Sequence, residues 1–118
     1  MSDPSRLVVL DKAHELLEKV NEAIVGIRRS HLGELKKQLF KSALSIPSNI
    51  AEGRRKETQK EFLRFLDIAL GLTGELERGA RRLPSRSELS QCIRHNAAVL
   101  IKNVDAGSPD DLLELRVG

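Results

Sequence analysis

A chain of 118 residues has room for one domain with a core of moderate extent. With three Phe and no Trp or Tyr it lacks a stacking platform for bases or an aromatic ligand cage, and its Leu, Ala, Glu, Lys and Arg content points to helix rather than sheet. The formal charge of +3 is unevenly spread: Arg28 to Arg64 holds ten basic and four acidic residues, a local +6, between slightly acidic flanks.

The first predicted helix opens near residue 5, with Asp3 or Ser5 as cap and Pro4 in the first turn. Leu7, Leu10, Ala13, Leu17, Val20, Ile24 and Ile27 follow at spacings of three and four, which places them on one face. The helix is expected to end near residue 29. A second helix, over 33 to 53, carries Leu35, Leu39, Ala43, Ile46 and Ile50, with Leu32 just ahead of it on the same stripe. Phe40, Leu44 and Ala51 widen that face. Pro47 removes one amide donor and crowds the Ala43 carbonyl, but the apolar register continues across it, so a kinked helix is expected rather than two elements. Ser42, Ser45 and Ser48 are placed to bond the freed backbone groups, and Asn49 and Glu52 to tie the kink to a neighbouring helix or subunit.

Gly53 reads as the left-handed stop of this helix, and Thr58 with Glu61 as the capping box of the next. The third helix spans 59 to 82. Its seam is Phe62, Phe65, Ala69, Leu72 and Leu76, and a second stripe, Leu63, Leu66 and Leu70, exceeds what one partner can cover and suggests an oligomer interface. Gly71, Gly74 and Gly79 lower its helicity, for which close helix contact would compensate. After a loop at Leu83 to Glu88, a fourth helix capped by Ser85 or Ser87 carries Leu89, Ile93, Ala97, Leu100 and Val104 and ends near 104. Residues 105 to 118 read as a tail with a turn at Ala106 to Asp111 and a docked or frayed end. The expected architecture is one all-α domain over 1 to 118, an up-down antiparallel four-helix bundle with its core at 5 to 104.

Chemistry is sparse in this pattern. Cys92 is the only cysteine, which excludes an intrachain disulfide and a cysteine metal site, suits a reducing cytoplasm, and reads as a buried, inert thiol. No basic-then-apolar leader and no apolar run of membrane-spanning length occurs, so a soluble cytoplasmic protein without membrane contact is expected. His14, His31 and His95 lack ligand spacing, the serines lack a nucleophile elbow, and the glycines lack a phosphate-loop ending. No metal, cofactor or catalytic activity is expected. The functional candidates are cationic: Arg54, Arg55 and Lys56 at the turn, Lys60 and Arg64 four apart on the third helix, with Lys36, Lys37, Lys41, Arg28 and Arg29 as extensions. Such residues grip nucleic-acid phosphates without reading sequence.

Ser45-Ile-Pro-Ser-Asn-Ile-Ala-Glu-Gly53, Glu61-Phe-Leu-Arg-Phe-Leu-Asp-Ile-Ala-Leu-Gly71 and Gly74-Glu-Leu-Glu77 give the chain a resemblance to the four-helix-bundle family named for proteins encoded in 23S rRNA intervening sequences. Lys12-Ala-His-Glu15 and Leu35 to Gln38 add to it. The resemblance implies a bundle that assembles as a ring, commonly a pentamer, and a similarity to the accessory variability determinant of diversity-generating retroelements, which partners a reverse transcriptase and binds nucleic acid. RNA or DNA binding is therefore expected, with a structural or protein-interaction scaffold as the alternative.

Overall fold

Among the described residues the chain forms four helices and one short turn of 3-10 helix: α1 (Pro4–Val25), the 3-10 turn (Ser30–Leu32), α2 (Gly33–Arg54), α3 (Gln59–Ala80) and α4 (Ser87–Val117). The computed structural model describes residues 4–27, 30–83 and 87–117, and side chains over 6–27, 31–83 and 88–104. No strand occurs among them. The cap positions Asp3 and Ser85 and the basic residues Arg28 and Arg29 lie outside what is described, whereas Ser5 and Ser87, also expected as caps, are helical residues within α1 and at the start of α4. No helix among the described residues is long and apolar enough to cross a membrane.

α1 packs on α2 and α4, and α3 packs on the same two, so α1 and α3 take opposite corners of a four-helix bundle. At one end Arg6 of α1 meets Lys56 and Gln59, and Gly53 of α2 lies against Phe62 and Phe65 of α3. Toward the other, Lys36 of α2 donates to the Ile27 carbonyl and Leu39 lies against Gly79 of α3. The end of α2 thus meets the start of α3 at Gly53, and the start of α2 meets the end of α3 at Leu39 and Gly79.

The buried face of α1 differs from the expected one. Arg6, Val9, Leu10, Ala13, Leu16 and Val20 point inward, while Leu7 is exposed and Leu17 only half-buried. A helix touching two neighbours buries a wide stripe, and three-and-four spacing leaves a one-residue ambiguity that the second neighbour decides. In α2 the stripe Leu35, Leu39, Ala43, Ile46 and Ile50 is buried as expected. Phe40, Leu44 and Ala51 instead face outward, Phe40 being 41% and Leu44 45% exposed. They lie about a third of a turn away from the core stripe, beyond the reach of α1 and α3.

α2 continues through Pro47, which is itself buried. The serines do not act as expected. Ser45 donates to Lys41 O at 2.8 Å and Ser48 to Leu44 O at 2.9 Å, so neither reaches the Ala43 carbonyl that Pro47 leaves without its amide. Asn49 donates to Ser45 O at 2.8 Å, within its own helix rather than to a neighbour.

Gly53 is not the stop. The helix runs on to Arg54 and closes at Arg55 in right-handed conformation, with its amide on Glu52 O. Gly53 is buried where α2 and α3 meet, and a Cβ there would stand 2.7 Å from the Phe65 Cβ and 3.3 Å from Phe62 Cδ1. Close approach is its reason. Gly79 faces α2 less rigidly, since a Cβ there would stand 2.8 Å from Leu39 Cδ2, the movable end of a side chain, whereas Gly71 has open space around it and Gly74 meets only Arg78 of its own helix.

Leu63 and Leu66, expected at an oligomer interface, lie in the core of the single chain, and Leu70 is half-buried against it. α3 packs on both α2 and α4, so its wide apolar face has two partners within the chain. Phe65 and Leu72 are half-buried; Thr73 and Ala80 take inward positions instead, the Thr73 hydroxyl donating to Ala69 O at 2.8 Å. In α4, Leu89, Ile93 and Leu100 are buried, with Asn96 among them. The helix passes 104 and continues to Val117, where a turn was expected. Proline's φ is already helical, and Leu112 to Leu115 are strong helix formers, so the turn residues before them do not stop the helix.

Candidate nucleic-acid interface

The short link between α2 and α3 is held by its own backbone and side chains. Lys56 N donates to Gly53 O at 3.0 Å, closing the last turn of α2. Thr58 then caps α3: its hydroxyl accepts from Glu61 N at 3.1 Å, the first half of the expected capping box, while Glu61 Oε1 accepts from that same hydroxyl at 3.1 Å rather than from the Thr58 amide.

A residue absent from the sequence-based list anchors this link from below. Arg6 is only 8% exposed; it donates to Gln59 Oε1 at 2.9 Å and to Lys56 O at 3.4 Å, and its guanidinium lies 4.2 Å from the centre of the Phe62 ring. The signal was present, since Arg6 stands four before Leu10 and three before Val9 on the apolar line of α1. A charged residue on such a line requires partners, and the link supplies them.

The five cations of the link are not equivalent. Arg55 and Lys56 both pair with Glu52, Lys56 at 3.5 Å, and Lys56 also lies 5.5 Å from the centre of the Phe65 ring. Arg55, by hydrogen bond and charge, and then Lys56 hold the Glu52 carboxyl below the usual glutamate range. Glu52 thus serves the turn of its own helix and not a neighbour. Arg54 is half-buried in the last turn of α2, while Lys60 and Arg64 are exposed on α3 and form no ion pair among the described residues.

The expected extension along α2 is discontinuous. Lys36 turns away to the Ile27 carbonyl, which it tethers to the start of α2. Lys37 and Lys41 are exposed, but Lys41 stands about 20 Å from Arg54 along the helix at 1.5 Å per residue. Two Debye lengths at physiological salt separate the clusters, so each acts on its own.

His14, His31 and His95 are exposed, and no group of three or more His, Cys, Asp or Glu among the described residues could hold a metal ion. Cys92 is half-buried rather than buried, in a cleft of about 240 Å³ between α1 and α4 that it shares with Leu16, His95 and Asn96.

Comparison with known proteins adds one positive finding. The family model described as 23S rRNA-intervening sequence protein matches residues 5–104. No curated protein and no solved structure matches the chain.

Proposed function

The chain belongs to the 23S rRNA-intervening sequence protein family, and from that premise we propose that it is a non-enzymatic cytoplasmic protein that binds RNA or DNA through the basic α2–α3 link. The observation that supports this reading is the run of Arg54, Arg55 and Lys56 at the braced α2–α3 link, followed at the start of α3 by Lys60 and Arg64, which are exposed and form no ion pair among the described residues. Phosphate contact is the mode such residues offer, sequence-tolerant and steeply salt-dependent. A homo-oligomer, with the pentameric ring of the family resemblance as its form, would present the link several times and raise avidity without new contacts. A reverse transcriptase is the protein partner that the same resemblance suggests.

Gel-shift titration at low and moderate salt tests the reading. Binding should weaken across this range with a slope of about −0.9 per neutralised phosphate on duplex DNA, and Ala at Arg54, Arg55 and Lys56 should weaken all sequences alike. No retention of RNA or DNA at low salt removes it. The second reading, a protein-interaction scaffold, is favoured by the outward Phe40 and Leu44, four residues apart on α2.

A further inference from the structure

Between α2 and α3, on the opposite side of α2 from Phe40 and Leu44, lies a groove of about 380 Å³ that the basic link does not include. Its floor is apolar, formed by the buried Leu35 and Leu39 and the half-buried Leu72. Gly79 keeps the wall open, since a side chain there would meet Leu39. Around the mouth stand one cation, Lys41, one carboxylate, Glu75, and the neutral polar groups of Gln38 and Ser42. The Ser42 hydroxyl makes no hydrogen bond among the described residues, unlike that of Ser45, which is spent on Lys41 O.

We propose that this groove takes one unpaired nucleotide of single-stranded RNA. The inference rests on the nucleic-acid reading above and deepens it by naming the form of nucleic acid. A nucleotide offers three chemistries in fixed order, and each has a counterpart here. Its phosphate suits Lys41. Its ribose 2′-hydroxyl suits Glu75, which only accepts hydrogen bonds and so favours a sugar that can donate one. Its base has apolar faces for the leucine floor and a hydrogen-bonding edge for Gln38 and Ser42. In a duplex the base is paired and stacked, and cannot enter. DNA would leave the Glu75 carboxylate facing a sugar with no hydroxyl to give, at an electrostatic disadvantage. Lys41 and the link lie along the same helix about 20 Å apart, a distance that a short strand of a few nucleotides spans while touching both.

Fluorescence anisotropy with the full chain and short labelled oligonucleotides at low salt tests this. Single-stranded RNA should bind about tenfold more tightly than duplex RNA of the same length, because base burial and edge bonding add to phosphate contact. Exposed Glu75→Gln should cut the preference for single-stranded RNA over single-stranded DNA about threefold and leave duplex affinity unchanged. Ser42→Phe, which fills the groove, should bring single-stranded affinity down to the duplex level, with circular dichroism confirming the fold. Equal affinity for single-stranded and duplex RNA overturns the groove but leaves the basic link standing, as does an RNA-to-DNA ratio that Glu75→Gln does not move. Absence of all binding overturns both.

Discussion

Gly53 stands at the tightest joint of the molecule, where α2 and α3 leave no room for one more carbon. Alanine is the better helix former by about 1 kcal/mol, so intrinsic propensity alone would make Gly53→Ala stabilising. The 2.7 Å approach to the Phe65 Cβ reverses the sign, because backbone and a β-carbon cannot swing aside as a side-chain end can. Gly53→Ala should therefore lower stability by about 1–3 kcal/mol in urea denaturation; a gain would mean that the joint is looser than described. Glu52, one residue earlier, gives a pH signature. Its carboxyl is held below the usual range by Arg55 first and Lys56 second. A depressed folded pKa contributes stability that is full above the ordinary glutamate range and is lost as pH falls through the depressed value. Unfolding midpoints at neutral and acid pH should accordingly differ less in Glu52→Gln than in the unaltered protein. The difference is small, since the pair is solvent-exposed.

At the level of elements, Thr58→Ala should cost about 1 kcal/mol by removing the hydroxyl that receives Glu61 N, and Thr58→Ser should restore it. Arg6→Ala should cost about 1–3 kcal/mol, since the Lys56 carbonyl and Gln59 lose their donor and Phe62 loses its cover, and Arg6→Lys should recover only part because a lysine lacks the planar fork. Helix existence was legible here because periodicity is strong over twenty-residue spans: the expected 33 to 53 and 59 to 82 stand beside the observed Gly33–Arg54 and Gln59–Ala80. The Thr58 cap was legible because its chemistry is local. Gly53 was misread because a glycine near a helix end fits a stop and a close contact equally, and only the partner helix distinguishes them. The far end of α4 was misread for a related reason, since turn-forming residues weigh against a helix without forbidding it.

For the molecule as a whole, legibility fell with distance along the chain. The basic cluster of the link was visible as a run in sequence, but the departure of Lys36 to the Ile27 carbonyl and the arrival of Arg6 beneath Phe62 depend on how separate helices meet. The expected interface stripe failed similarly: Leu63 and Leu66 are apolar surplus for one partner, but α3 has two. A homo-oligomer would have to bury other residues, and Phe40 and Leu44 are exposed and correctly spaced. Multi-angle light scattering should give more than a monomer mass at micromolar concentration, and Glu at both positions should return it to the monomer with helicity unchanged; a monomer in the unaltered protein refutes the assembly. The Arg6 clamp also dictates an order of events during synthesis. α1 leaves the ribosome first, but the groups that hold its beginning, Lys56, Gln59 and Phe62, emerge some fifty residues later. The earliest helix made is thus among the last secured, and a nascent chain halted before Phe62 should leave α1 open to proteolysis that the finished chain resists.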